Sequence, residues 1–336
     1  MPLLDTLSRP LETLRVSITD RCNFRCVYCM PKEIFGPAFV YSHRDDLLTF
    51  EEIARVAALF VHAGAEKIRL TGGEPLVRRH LERLVEMLAR IRGLADLTLT
   101  TNGSLLTRAK AHALRDAGLR RITISLDSLD DEVFRRMNDV DFPVARVLDA
   151  IDAAAEAELF PIKIDMVVKR GTNDASVVDM ARHFRGTGHI VRFIEYMDVG
   201  NTNGWRSDNV VPGREIAETI AQQWPIEPLQ ANYFGEVAER WRYTDGAGEI
   251  GIITSVTQPF CGSCTRARLT AEGEMFTCLF APSGHDLRGM IRGGASDEEI
   301  AGAIGSVWRQ REDRYSEIRS EETIRDAKVE MSHIGG

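Results

Sequence analysis

The sequence of 336 residues is long enough for one barrel-sized domain, or for a domain with a substantial appendage. Its 44% hydrophobic and 27% charged residues suit a soluble globular chain, and a formal net charge of −8 argues against general binding to nucleic acid or to a membrane surface. No apolar run approaches the ~18 residues of a membrane span, and residues 1–10 lack the charged and apolar regions of a signal peptide, which together predict a cytoplasmic protein.

The first predicted strand covers residues 14–19 and leads into Cys22-Asn23-Phe24-Arg25-Cys26-Val27-Tyr28-Cys29, a C-x3-C-x2-C run. Three thiolates from one tight loop can hold three corners of a four-iron, four-sulfur cube and leave the fourth iron open, which suits chemistry better than simple electron transfer. Zinc is the competing reading, but a structural zinc wants four closed ligands and no further Cys or His lies close by in the sequence. Residues 31–46 lack periodicity and read as a loop. Thr49-x-x-Glu52 is a capping box that opens a helix with Ile53, Val56, Ala57 and Phe60 on one face, ending near Gly64. A strand over 67–70 follows, then the turn Thr71-Gly72-Gly73-Glu74-Pro75, which offers close backbone approach to a ligand beside an acidic acceptor. A helix is predicted over 76–91. Strands over 96–100 (closed by Asn102-Gly103), 121–126, 162–168 and 190–196 then alternate with helices over 109–117, 132–137, 144–158 and 174–184. Beyond about Val199 the pattern changes to a turn-rich stretch over 200–205, a short helix over 214–224 and short strand-like runs such as 250–254. A second cysteine group, a helix over 297–309 and a charged tail complete the chain.

Six strands alternating with helices imply parallel pairing through right-handed crossovers, a pattern shared by open doubly wound sheets and by barrels. No G-x-G-x-x-G follows the first strand, so the dinucleotide-binding version loses weight. All six cysteines fall in two trios, Cys22, Cys26, Cys29 and Cys261, Cys264, Cys278, a clustering that favours metal over disulfides in a reducing compartment. Arg15, Arg69 and Lys163 lie inside apolar strand segments, and the alternation of Arg266 and Arg268 points both side chains the same way. Five cations converging on one cavity would fit a triphosphate, while a solvated strand face remains the alternative for each of them taken singly. The sequence has no G-x-x-x-x-G-K-S/T loop, and its eight histidines form no ligand pair.

The cysteine spacing with an aromatic residue, Tyr28, directly before the last thiol resembles the signature of the radical S-adenosylmethionine (SAM) superfamily. Gly72-Gly73-Glu74-Pro75 resembles the motif that meets the SAM amino group in that superfamily. The resemblance implies an α/β fold, with residues 1–198 forming a partial (β/α)6 TIM-type barrel. Cys22, Cys26 and Cys29 would hold a 4Fe-4S cluster there, with SAM against Tyr28, Gly73, Ser125 and Met197. Residues 199–336 would form an α+β region that closes the barrel and carries a second iron–sulfur cluster.

A narrower resemblance runs from residue 14 to the last residue. It rests on Cys261-x2-Cys264-x13-Cys278, with Thr265-Arg266-Ala267-Arg268-Leu269 directly after the pair. Cys29-Met30-Pro31, Phe193-Ile194-Glu195-Tyr196-Met197-Asp198-Val199-Gly200, Ile253-Thr254-Ser255-Val256 and the terminal Gly335-Gly336 extend it. These segments are similar to the GTP 3′,8-cyclase family of molybdenum cofactor biosynthesis. That family implies a lyase with two 4Fe-4S clusters and SAM, in which a 5′-deoxyadenosyl radical takes hydrogen from C3′ of GTP and the C3′ radical attacks C8. Arg15, Arg69, Thr100, Lys163, Arg266, Ala267 and Arg268 would hold GTP, the second open iron would hold the guanine, and the two terminal glycines would reach into the site. An electron donor of flavodoxin or ferredoxin type, a downstream cyclic pyranopterin monophosphate synthase, and a monomer or homodimer are the partners implied. The rivals are another radical SAM enzyme with an auxiliary cluster, such as a peptide-modifying one, and a zinc-stabilised binding module.

Overall fold

The computed structural model describes residues 2–320 and 327–335. Its first part alternates strands and helices in chain order. The strands are β1 (Thr13–Ser17), β2 (Lys67–Thr71), β3 (Asp96–Thr101), β4 (Arg121–Ser125), β5 (Lys163–Val168) and β6 (Ile190–Glu195). Between them lie α1 (Phe50–His62), α2 (Leu81–Ala89), α3 (Arg108–Asp116), the pair α4 (Asp131–Asn138) and α5 (Ala145–Glu156), and α6 (Val177–Phe184). The second part contains α7 (Gly213–Ala221), β7 (Ile226–Leu229), β8 (Glu239–Tyr243), β9 (Glu249–Ile253), β10 (Arg266–Leu269), β11 (Glu274–Phe276) and β12 (His285–Asp286). Helices α8 (Arg288–Arg292), α9 (Asp297–Arg309) and α10 (Met331–Ile334) follow.

One sheet of twelve strands runs in the order β12-β11-β10-β1-β2-β3-β4-β5-β6-β9-β8-β7. The six alternating strands are parallel neighbours in chain order, as right-handed crossovers require. Strands from beyond residue 199 extend this arc at both edges, β10 pairing parallel with β1 and β9 parallel with β6. This mixed α/β fold has the architecture of a TIM-type barrel left open, with the helices outside.

Alternation along each strand separates two chemistries. Leu14, Val16, Ile68, Leu70, Leu97, Leu99, Ile122, Ile124, Ile164 and Met166 are buried in the core between sheet and helices. The intervening residues face the interior and are polar or charged. Register sets Arg15 opposite both Arg69 and Arg268, and Arg192 opposite Asp165. Helix α1 buries the predicted face of Ile53, Val56, Ala57 and Phe60. Its capping box is formed, with the Glu52 N–H donating to Thr49 Oγ1 at 3.1 Å and the Thr49 N–H to Glu52 Oε2 at 2.8 Å.

The helix expected over 76–91 is broken. A single 3-10 turn at Pro75–Val77 is followed by extended backbone at Arg78 and a left-handed His80 (φ +59°) before α2 begins. Arg78 explains the break, because its guanidinium turns inward to donate to the carbonyls of Ile18 at 2.8 Å and Leu48 at 2.6 Å. The sequence pattern does not mark the β7–β8 hairpin, whose residues are mostly half-buried and whose apolar pattern is interrupted by Pro228. Among the described residues no helix is long and apolar enough to cross a membrane.

Candidate active site

A cavity of about 280 Å³ opens at the C-terminal ends of the interior strands, and all six cysteines line it. The first trio sits on the loop after β1, stapled from several sides. Arg25 Nη1 donates to the Cys22 carbonyl at 2.8 Å, its Nε to the Phe35 carbonyl at 2.7 Å and its Nη2 to Tyr41 Oη at 3.0 Å. The Cys29 N–H closes the turn on the Cys26 carbonyl at 2.9 Å, and the carbonyls of Met137 and Asn138 at the end of α4 accept from Val27 and Arg25. Tyr28 Oη donates to Asp127 Oδ2 at 2.9 Å, and Asp127 Oδ1 accepts from the Val167 N–H at 3.0 Å.

The Gly72-Gly73 turn packs directly on this loop. The Gly73 N–H donates to the Thr19 carbonyl at 2.7 Å, and a Cβ at Gly73 would lie 2.3 Å from the Arg21 carbonyl oxygen. Glu74 beside it is buried, with Oε1 accepting from Leu76 N–H at 2.9 Å and Thr101 Oγ1 at 2.7 Å, and Oε2 from Asn102 N–H at 2.7 Å. Its carboxylate therefore joins the ends of β2 and β3 and has little acceptor capacity left for a ligand. Burial pushes its pKa up to about 7 against these three bonds. Gly73→Ala must displace backbone rather than a flexible side chain, so a stability loss of about 1–3 kcal/mol is expected together with loss of iron from the first trio. Thermal denaturation and iron analysis of the reconstituted variant check this.

The cysteines suit metal better than disulfide chemistry. None of the six forms a disulfide. Burial, with Glu74 adding to it, pushes the Cys22 thiol up to about 12; burial likewise raises Cys26 and Cys29, and takes Cys278 to about 12. Such thiols become thiolates when a metal displaces their protons. Burial opposes ionisation of Cys264 too, but Arg266 and Arg311 outweigh it and hold this thiol at about 6. Among the described residues no three His, Cys, Asp or Glu side chains gather closely enough to hold one metal ion. A structural zinc needs four donors around a point, whereas each trio supplies three thiols. A 4Fe-4S cube takes each thiolate on a different iron, so two separated trios of soft donors fit it.

The interior cations form one face of the cavity. Arg15, Arg69, Arg266 and Arg268 line it, and among the described residues none of them has a carboxylate partner within salt-bridge distance. Arg15 Nε has no hydrogen-bond partner there. Burial, then the nearby Arg268, Arg69 and Arg266, push the Arg15 pKa well down. Burial holds Arg69 and Arg268 at about 10. Unpaired buried guanidinium groups are costly, and such a cluster is expected where an anion completes it. Thr100 lines the same wall and accepts from Arg69 Nη1 at 3.4 Å; Ser125 and Met197 also line the cavity, as do Tyr28 and Gly73. Arg192 shares this lining but is already paired with Asp165, both bonds at 2.6 Å.

Two expected residues stand apart. Lys163 is on the interior face of β5 but is not among the cavity-lining residues; burial and the cations Arg192, Arg121 and Arg69 hold it down at about 7. Ala267 packs its side chain into the apolar core on the opposite face of β10, so only its backbone is left to meet a ligand. Arg268 Nη1 donates to the Gly335 carbonyl, and Gly335 lies with φ +75° where a Cβ would meet Thr71 Cγ2 at 2.5 Å. Gly336 lies outside the described residues. Sequence reasoning missed Arg192, Asp165 and Asp127, whose roles depend on neighbours in adjacent strands. It also missed Arg311, which no local pattern marks.

Comparison with known proteins places both halves of the chain. Residues 16–184 match the radical SAM superfamily model, and residues 189–317 match a model described as Molybdenum Cofactor Synthesis C. The chain is 55% identical to GTP 3′,8-cyclase of Acidothermus cellulolyticus, covering 100% of this chain and 99% of that protein. Identity to proteins of the same name is 48% in Xanthomonas axonopodis (100% and 99% covered) and 46% in Staphylococcus saprophyticus (99% and 99%). Among solved structures, Streptococcus suis SuiB bound to S-adenosylmethionine superposes with a TM-score of 0.62 at 14% identity, over 89% of this chain and 68% of that one. That likeness concerns the fold alone.

Proposed function

The chain belongs to the GTP 3′,8-cyclase family of the radical SAM superfamily, and from that premise we propose which of its residues hold the clusters, the SAM and the GTP. The family reaction is the first step of molybdenum cofactor biosynthesis: a SAM-derived 5′-deoxyadenosyl radical removes the C3′ hydrogen of GTP, and C3′ then bonds to C8. The observation that carries the assignment of residues is that one cavity is bordered by both thiol trios and by four arginines that have no carboxylate partner among the described residues.

Cys22, Cys26 and Cys29 would hold one 4Fe-4S cluster, and Cys261, Cys264 and Cys278 the other. When bound, each cluster supplies one open iron, and the first supplies the electron for reductive SAM cleavage. Gly73 gives the backbone approach for the methionine amine, while Tyr28, Ser125 and Met197 bound the rest of SAM. Residues 1–198 would thus carry the first cluster and SAM, and residues 199–336 the second cluster and the tail that closes the barrel, with GTP-facing cations drawn from strands of both parts of one sheet. Arg15, Arg69, Arg266 and Arg268 would take the triphosphate and purine edges, with Thr100 and the backbone of Ala267 completing the wall. Gly335, held by Arg268, closes the chamber and keeps water and stray hydrogens from the radical. Positioning dominates here, because a primary carbon radical attacks nearly any adjacent C–H bond. We place the protein in the cytoplasm, supplied by a flavodoxin- or ferredoxin-type donor and handing its product to a cyclic pyranopterin monophosphate synthase.

Lys163 gives a proton-linked prediction. In the free protein its pKa is about 7, so it is largely neutral above that pH. A polyphosphate nearby favours the charged form, so GTP binding at pH 8 is expected to take up a proton. Calorimetry in buffers of different ionisation enthalpy should register this uptake, and Lys163→Met should remove it. The assignment as a whole is tested by incubating anaerobically reconstituted protein with GTP, SAM and a reductant. Formation of 5′-deoxyadenosine together with cyclised GTP is expected; absence of both removes it.

A further inference from the structure

The second trio is enclosed by two segments distant in sequence. Arg311, just beyond α9, is buried with every arm of its guanidinium engaged. Its Nη1 donates to the Cys264 carbonyl at 2.7 Å and to Asp5 Oδ2 at 3.2 Å, its Nε to the Thr277 carbonyl at 3.1 Å, and its Nη2 to Cys264 Sγ at 3.2 Å. The Trp308 ring lies 4.6 Å from the guanidinium carbon. Asp5, itself buried, also accepts Arg9 Nε at 2.6 Å, and Arg9 Nη1 reaches the Cys261 carbonyl at 2.8 Å. Asp5 thus joins two guanidinium groups, one at the backbone of Cys261 and one at the sulfur of Cys264.

Arg266 also donates to Cys264 Sγ, at 3.2 Å, and both arginines line the cavity, but the other side-chain contact of Arg266 is a cation–π one with Phe260. The two arginines on one sulfur therefore differ in freedom. Arg266 can exchange its sulfur bond for a ligand. Arg311 cannot leave: its other donors are committed to two backbone carbonyls and to Asp5, and its Nε lies 3.5 Å from Asp313 Oδ2.

Resting on the reading that this trio holds a 4Fe-4S cluster, we propose that Arg311 is a positioning residue that fixes Cys264 and raises the reduction potential of that cluster through a permanent charge-assisted hydrogen bond to the ligand sulfur. Hydrogen bonds to cluster sulfurs, net charge and solvent exposure are what set such potentials. A cation held at one corner favours the reduced state, which carries one more negative charge. Asp5 supplies the restraint, keeping the guanidinium on the sulfur and away from the triphosphate side of the chamber.

The test uses full-length protein with Cys22, Cys26 and Cys29 replaced by alanine, so that only the second cluster loads. Iron and sulfide are counted first; a parent that binds no cluster overturns the underlying reading and this inference with it. An EPR-monitored redox titration then compares the parent with Arg311→Met. A fall in midpoint equivalent to a tenfold or larger shift of the one-electron equilibrium, about 59 mV, is expected at unchanged iron content. An unchanged midpoint overturns the proposal. Should Arg311→Met hold no cluster, Arg311→Lys, which keeps the charge but cannot make all four bonds, decides. A smaller fall in the same direction supports the tuning role, and a midpoint equal to the parent's rejects it.

Discussion

Cys261→Ser is expected to leave SAM binding near that of the parent while cyclised GTP falls by at least about 100-fold. The first trio has its own supports in Arg25, Asp127 and the turn at Gly73, none of which touches Cys261. The Cys261 side is held by Arg9 through a backbone carbonyl and by Glu317, which accepts from the Gly262 N–H at 2.9 Å. Losing one of three thiolates should therefore release the second cluster without loosening the first. Slow formation of 5′-deoxyadenosine independent of GTP should persist, because that step belongs to the first trio. Equilibrium dialysis with labelled SAM and product analysis after anaerobic turnover separate the two sites. Equal loss of SAM binding would mean that the two trios serve a single site.

Arg15→Met should move binding and stability in opposite directions. Arg15 faces the cavity with its Nε unpartnered and with Arg69, Arg266 and Arg268 around it, an arrangement that repels itself when no anion is present. Removing that charge and keeping most of the side-chain volume is expected to stabilise the free protein by about 1 kcal/mol. GTP should bind on the order of 100-fold more weakly, the cost of deleting one member of an enclosed charge pair. Differential scanning fluorimetry and GTP titration read the two effects. A variant that lost stability and kept its GTP affinity would show that Arg15 serves the fold instead of the substrate.

Chemistry that depends on short spacing was legible in the sequence. Cys22, Cys26 and Cys29 lie on one loop, and Arg266 and Arg268 differ by two positions on one strand, so local geometry alone brings each group together. The six alternating strands were legible because apolar runs and helix caps repeat. The break between Pro75 and α2 was not, since it arises from Arg78 reaching carbonyls 30 and 60 residues away. Arg192 and Arg311 were invisible for a similar reason. One is neutralised by a residue on the neighbouring strand, and the other is defined by partners at positions 5, 264 and 277. Ala267 shows the limit of carrying a whole motif over, because its side chain turns away from the face that its two neighbours share.

The bond between Arg311 and Asp5 spans 306 positions. During synthesis, Cys22, Cys26 and Cys29 all precede Arg311, so the fastening of the second trio must wait until the ribosome has passed codon 311. The supports of the first trio named above reach only as far as Val167, so the second trio is the later of the two to be fastened.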